Sequence, residues 1–287
     1  MPRQAYVNGR YLPHGDAVVH IEDRGYQFAD GVYEVVPVAQ GVLVDEELHL
    51  DRLERSLDEL SIPMPMSRVA LKLISAELMR RNRLSNGFLY MQITRGVAPR
   101  DHKFPTRVRP ALVMTTRQMP PPSAKKLAEG VGVITVPDIR WSRCDIKSVS
   151  LLPNVLAKQQ AVEAGAYEAW QVDADGMVTE GTSTNAWIVT QDGTLVTRNA
   201  NNAILNGITR ISLLRVAEAD GVTLEERPFS IEEAKGAREA FLTSSTNFVM
   251  PVTRIDDQPI GNGHPGLLTG KLRKAYMNDV AGLKESA

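Results

Sequence analysis

The sequence predicts a mixed α+β protein of two domains, and three observations carry that expectation. A chain of 287 residues exceeds what one hydrophobic core usually organises, so two domains of roughly 100–170 residues each are the natural division. Its extended runs do not alternate strictly with helical ones, which argues against a doubly wound parallel sheet. The segment Gln118 to Ser123, QMPPPS, holds consecutive prolines that can neither donate to a strand ladder nor continue a helix. It reads as a linker over residues 118–123, between a first domain at 1–117 and a second at 124–287.

The elements follow in chain order. Ala5-Tyr6-Val7 and Tyr11-Leu12 flank Asn8-Gly9, a pair that tolerates the positive φ of a tight turn, so the chain opens on a hairpin. Val32 to Val38 is a longer extended run ending at Gln40-Gly41. From Asp45 to Leu60, the residues Leu48, Leu50, Leu53, Leu57 and Leu60 recur largely at helical spacing among charges, which predicts an amphipathic helix. A second helix covers Ser67 to Arg80, and strands Leu89 to Thr94 and Ala111 to Thr116 complete the first domain. The second opens with a strand at Val131 to Val136 and a helix at Pro153 to Ala164, with Pro153 tolerable in the first turn and Gly165 at the exit. Strands at Glu168 to Val172, Ala186 to Val189 and Leu195 to Thr197 lead to a helix from Thr209 to about Ala219. Strands at Val222 to Glu226, Ala240 to Leu242 and Val249 to Arg254 precede a last helix from Leu267 to about Ala281.

Composition narrows the partners. A formal net charge of -1 gives no long-range field to attract nucleic acid or an anionic membrane, so small molecules are the expected partners. Cys144 is the only cysteine, which rules out an intrachain disulfide and suits a reducing compartment. The start MPRQAYVNGR has no signal-like apolar stretch, and no window nears the ~20 apolar residues that span a bilayer. The expected location is the cytoplasm. His14, His20, His49, His102 and His264 show no metal-ligand spacing, so no metal is expected, and neither a GxSxG nor a glycine-rich phosphate loop occurs.

Two stretches hold chemistry instead. Lys147, in Arg143-Cys144-Asp145-Ile146-Lys147-Ser148, reads by itself as a solvated loop lysine. About thirty residues on, Val178-Thr179-Glu180-Gly181-Thr182-Ser183-Thr184-Asn185 puts one carboxylate among small polar residues at the entry to an apolar strand. If buried, Glu180 needs a cationic partner to stay ionised, and a protonated pyridine nitrogen would serve. In Asn206-Gly207-Ile208-Thr209-Arg210, a glycine just before a helix start leaves N–H groups free to face an anion, with a hydroxyl at Thr209.

Taken together with Asp23-Arg24-Gly25, Phe28-Ala29-Asp30-Gly31, His49-Leu50-Asp51-Arg52-Leu53, Asp145-Ile146-Lys147, Thr179-Glu180-Gly181, Asn185 and Gly207-Ile208-Thr209-Arg210, the chain resembles the fold type IV pyridoxal phosphate aminotransferases over nearly its whole length. The resemblance implies that Lys147 binds the cofactor pyridoxal 5'-phosphate covalently and serves as catalytic base, while Glu180 meets the pyridine nitrogen. It implies that Arg52, Ile208, Thr209 and Ser245 hold the phosphate, that Leu205 packs on the ring, and that Arg140 lies near the phenolic oxygen. Tyr33, in Gly31-Val32-Tyr33-Glu34-Val35-Val36, and the Arg100-Asp101-His102 stretch look like the substrate carboxylate trap of the D-amino-acid branch. There the arginine and histidine reach in from the neighbouring subunit of a homodimer. The implied reaction moves the amino group of a D-amino acid such as D-alanine to a 2-keto acid such as 2-oxoglutarate. A branched-chain L-amino-acid or (R)-amine aminotransferase and an aminodeoxychorismate lyase share the scaffold, and a silent cofactor carrier would keep the cofactor contacts.

Overall fold

The computed structural model describes residues 3–120 and 122–279, and the chain divides into two compact units. The first comprises Met1–Pro120 with Ile146–Ser150, the second Pro121–Asp145 with Leu151–Ala287. The mixed α+β class expected from the sequence holds in both.

The first unit is built on a six-stranded antiparallel sheet. Its strands are β1 (Gln4–Val7), β2 (Arg10–Pro13), β3 (Gly31–Ala39), β4 (Val42–Leu43), β5 (Gly87–Thr94) and β6 (Ala111–Gln118), in the order β2-β1-β6-β5-β3-β4. Its helices are α1 (Arg24–Phe28), α2 (Glu46–Glu59) and α3 (Arg68–Asn82). Alternation along the strands sends Val32, Val36 and Val38 of β3, Leu89, Met91 and Ile93 of β5, and Leu112 and Met114 of β6 into one core. There they meet Leu50, Leu53 and Leu57 of α2 and Leu71, Leu78 and Met79 of α3. Each such Leu contributes about 1.5–3 kcal/mol over its exposed state. The register Gly31↔Thr94 through Val38↔Gly87 leaves Tyr33, on β3, and Tyr90, on β5, on the opposite face, with ring centroids 5.8 Å apart.

The return segment Ile146–Ser150 is where the structure departs from the sequence reading, which put Lys147 in the second domain. β4 pairs only with Val38 and Ala39, so the first half of β3 has an open edge. The segment fills it: Tyr33 N donates to Lys147 O at 3.0 Å and Val149 N to Gly31 O at 3.0 Å. Ile146 enters the first core.

The second unit carries α4 (Ala124–Glu129), β7 (Val131–Pro137), α5 (Leu152–Glu163), β8 (Glu168–Val172), β9 (Val178–Gly181), β10 (Asn185–Val189), β11 (Leu195–Thr197), α6 (Ile208–Ala219), β12 (Leu224–Glu226), α7 (Ile231–Lys235), β13 (Glu239–Ser244), β14 (Phe248–Ile255), β15 (Gln258–Pro259) and α8 (Leu267–Asp279). The sheet runs β12-β11-β10-β13-β14-β7-β8-β9, with β15 on β14. It is mixed, since β14, β7 and β8 are parallel neighbours and β8 pairs antiparallel with β9. Trp170 packs edge-on against Phe229, and Trp187 stacks on Phe241 with centroids 5.4 Å apart. Of the expected elements, residues 280 and 281 of the last helix and Pro121 of the linker lie outside the described residues. No helix among the described residues is long and apolar enough to cross a membrane.

Candidate active site

In the first unit, the geometry gathers two groups of site residues on β3. On one face, the Lys147 ammonium lies 4.2 Å from the centroid of the Tyr33 ring. The lysine is held from both ends of its peptide, since its carbonyl accepts from Tyr33 and its N–H donates to Ser56 Oγ on α2 at 3.3 Å. On the other face, Glu34 is buried beneath α2, where His49 and Arg52 stand one turn apart and point at it. Arg52 donates through Nε to Oε1 and through Nη2 to Oε2, each at 2.7 Å, and His49 Nδ1 lies 2.7 Å from Oε2. Burial pushes the Glu34 carboxyl up, but the Arg52 charge and the hydrogen bonds from Arg52 and His49 bring it down to about 2. An ionised carboxylate only accepts, so His49 Nδ1 carries the proton; burial holds the imidazole below its ordinary pKa despite Glu34. The Arg52 fork is thereby fixed.

Arg100 and His102 lie on an exposed loop after β5 and share one neighbour. The Arg100 guanidinium sits 5.0 Å from the Phe28 ring centroid, and the His102 ring 5.5 Å from it.

In the second unit, Glu180 lies within β9 rather than ahead of a strand, and is buried. Three groups converge on it. Asn185 Nδ2 donates to Oε2 at 3.0 Å, the Leu205 N–H lies 3.1 and 3.2 Å from the two oxygens, and Arg140 Nη1 donates to Oε1. Thr179 beside it ties Asp138 to the same cluster. Arg140 also donates to Asp138 at 2.7 and 2.9 Å, to Thr179 and to the Ala203 carbonyl. The guanidinium assigned by resemblance to a phenolic oxygen is thus committed to two carboxylates, and it supplies the cation that the sequence reading sought elsewhere. Burial raises the Glu180 carboxyl above its ordinary value, and Arg140 pulls only partly against it. Burial also works against the Arg140 charge, but Asp138 and Glu180 outweigh it and keep that pKa high.

The loop before α6 is pinned by the same residues. Asn185 Nδ2 also donates to the Leu205 carbonyl at 2.9 Å, and a Cβ on Gly207 would lie 2.1 Å from Asn185 Oδ1. Buried Arg210 holds the loop from the other side, donating to Asn206 Oδ1 at 3.1 Å and to the Arg198 carbonyl at 2.8 Å. α6 then starts at Ile208 and Thr209, both buried, with no side-chain cap on its first amides. Leu205 is half buried, and Ser245 lies in the turn between β13 and β14.

Of the residues expected from the sequence, the structure brings Tyr33 to Lys147, Arg100 to His102, and Arg140 and Leu205 to Glu180. The sequence reading gave no role to Asp138, Glu34 or Phe28. Asp138 stood two residues before Arg140, a spacing that allows a local ion pair, and the other two lay inside quoted motifs.

Residues 31–255 match the family described as amino-transferase class IV. The D-alanine aminotransferase of Bacillus licheniformis is 43% identical over 98% of this chain and 97% of its own length. That of Staphylococcus aureus strain N315 is 41% identical over 94% of this chain and 95% of its own. Among solved structures, the branched-chain amino acid aminotransferase of Escherichia coli superposes with a TM-score of 0.91 over 100% of this chain and 97% of that one; at 22% identity this likeness concerns the fold. The chain belongs to the class IV aminotransferase family.

Proposed function

We propose that this chain is a D-amino-acid aminotransferase that uses pyridoxal phosphate, moving the amino group of a D-amino acid such as D-alanine to a 2-keto acid such as 2-oxoglutarate in ping-pong fashion. The observation that carries the reading is the Lys147 ammonium 4.2 Å from the Tyr33 ring: a proton-moving amine beside a phenol suited to a substrate carboxylate. It stands in a chain 43% identical to a D-alanine aminotransferase along nearly all its length.

The residues fit the cofactor. A buried carboxylate with a raised pKa gains from a pyridinium nitrogen, which supports the reading of Glu180 as the partner of that atom. The uncapped start of α6 at Ile208 and Thr209 suits a phosphate, a role that Arg52 and Ser245 share. Leu205 offers an apolar side chain to the ring. Arg140 acts in this reading by holding Glu180. When bound, the cofactor supplies an electron sink for the bond broken at Cα and carries the amino group between half-reactions. The Lys147 amine holds the cofactor between turnovers and, once released, takes the Cα proton. It takes only a proton that points at it, so two slots remain for carboxylate and side chain. Donors gathered in one slot, Tyr33 with Arg100 and His102, select one enantiomer. Arg100 and His102, exposed in the single chain, are assigned to the neighbouring subunit's site in a homodimer, and the protein to the cytoplasm.

Turnover with both enantiomers of alanine, glutamate and leucine, each with a keto acid acceptor, tests the reading. Use of D-alanine with L-alanine refused supports it. Preference for L-leucine moves the chain to the branched-chain activity of its structural neighbour.

A further inference from the structure

Two motifs singled out in the sequence, Asp23-Arg24-Gly25 and Phe28-Ala29-Asp30-Gly31, have no part in the chemistry above, yet they hold buried charge. Asp30 accepts from two buried arginines: Arg24 Nε at 2.7 Å, and Arg95 through Nε at 2.8 Å and Nη2 at 3.0 Å. The Asp30 carboxyl is held below its ordinary value; burial opposes this, and the two arginines prevail. Arg95 also donates to the Ser61 and Leu60 carbonyls at 3.0 and 2.7 Å, and its guanidinium lies 3.6 Å from the Phe104 ring centroid. Arg24 Nη1 donates to the carbonyl of Asp101 at 2.6 Å, the peptide between Arg100 and His102. The Arg24 guanidinium also lies 4.7 Å from the Phe28 ring centroid, the ring that Arg100 and His102 flank. Backbone bonds tie the root of the loop to the same turn: Arg24 N to Gly96 O at 3.0 Å, and Arg95 N to Asp30 O at 3.0 Å.

We propose that Arg24, anchored by Asp30, and Phe28 are positioning residues that set where Arg100 and His102 present themselves to the substrate's α-carboxylate. The proposal rests on the reading of Arg100 and His102 as the carboxylate grip. The physical argument is one of order. Arg100 and His102 are exposed, so packing does not fix them. One hydrogen bond to the peptide between them and one aromatic ring against both fix the direction in which they project. A guanidinium is required at Arg24, because a lysine nitrogen cannot reach Asp30 and the Asp101 carbonyl through two separate N–H groups of a rigid fork. Arg24 and Phe28 touch no reacting atom in this account, so their loss shifts substrate capture more than the chemical step.

The test is a double-mutant cycle in the holoenzyme, reading KM and kcat for D-alanine in Arg24→Lys, Phe28→Leu, Arg100→Ala and each pair with Arg100→Ala. Each positioning variant alone is expected to raise KM about 10-fold with kcat changed less than about 3-fold. In the Arg100→Ala background, the same substitution is expected to have under about a third of that effect, because the group it positions is gone. Effects that multiply independently of Arg100, or that fall on kcat and Tm with KM unmoved, overturn the positioning role. If Arg100→Ala itself leaves the D-alanine KM unchanged, the grip reading fails first and the proposal with it. Phe28→Leu, at a half-buried site, keeps the test decisive if Arg24→Lys does not fold.

Discussion

Glu34 and Glu180 are both buried carboxylates facing an arginine, yet their pKa values move in opposite directions. Burial pushes each up; Glu34 ends near 2 because the Arg52 charge and the hydrogen bonds from Arg52 and His49 outweigh that burial, while Glu180 ends above its ordinary value. The difference lies in sharing. Arg140 spends Nε and Nη2 on Asp138, and the Asp138 charge itself raises Glu180. Glu180 is therefore the carboxylate whose demand for a cation is only partly met, which suits it to a pyridinium. Glu180→Gln is expected to slow the D-alanine half-reaction by about 100-fold while cofactor affinity falls less than about 10-fold, since a neutral partner weakens the electron sink more than the binding. Single-turnover rates and cofactor titration measure the two separately. Equal half-reaction rates in variant and parent would remove Glu180 from the chemistry.

At the scale of elements, the loop from Arg198 to Gly207 and the helix α6 form a device joined to Glu180 through Asn185. Gly207→Ala puts a Cβ where Asn185 Oδ1 lies, an overlap costing about 1–3 kcal/mol unless Asn185 moves. The expected result is weaker cofactor retention, by about 10-fold, as the first turn of α6 and the Asn185 bond to Glu180 shift together. Equilibrium dialysis measures it, and unchanged retention would contradict the coupling. Apolar patterning made α2, α3, α5 and α6 legible, as well as β3, β5 and β6, while most strands of the second sheet showed as short apolar runs because they are buried along their whole length. It could not show β9, four short residues paired to β8 through a bulge, or the Ile146–Ser150 segment, whose pairing with β3 joins residues far apart in sequence. Lys147, Glu180 and Gly207 were legible as motifs. The Asp138 clamp on Arg140 and the Asp30 clamp on Arg24 were not, because an ion pair with at least one partner in a loop leaves no period.

For the whole molecule, the reading requires two chains, with Arg100 and His102 serving the neighbour's Lys147. Mixing Lys147→Ala protein with Arg100→Ala protein under conditions of subunit exchange yields dimers in which one site has both residues and the other neither. Activity should recover toward about half the parental level per mixed dimer, because one of its two sites is complete. Exchange without recovery would return Arg100 to its own subunit. The central claim, that Lys147 moves the Cα proton of a D-amino acid, has a more direct measurement: pyruvate released when cofactor-loaded protein meets D-alanine or L-alanine with no acceptor present. The account predicts about one pyruvate per active site from D-alanine, almost none from L-alanine, and none from either with Lys147→Ala. A stoichiometric burst from L-alanine, or one from D-alanine that survives Lys147→Ala, would contradict it.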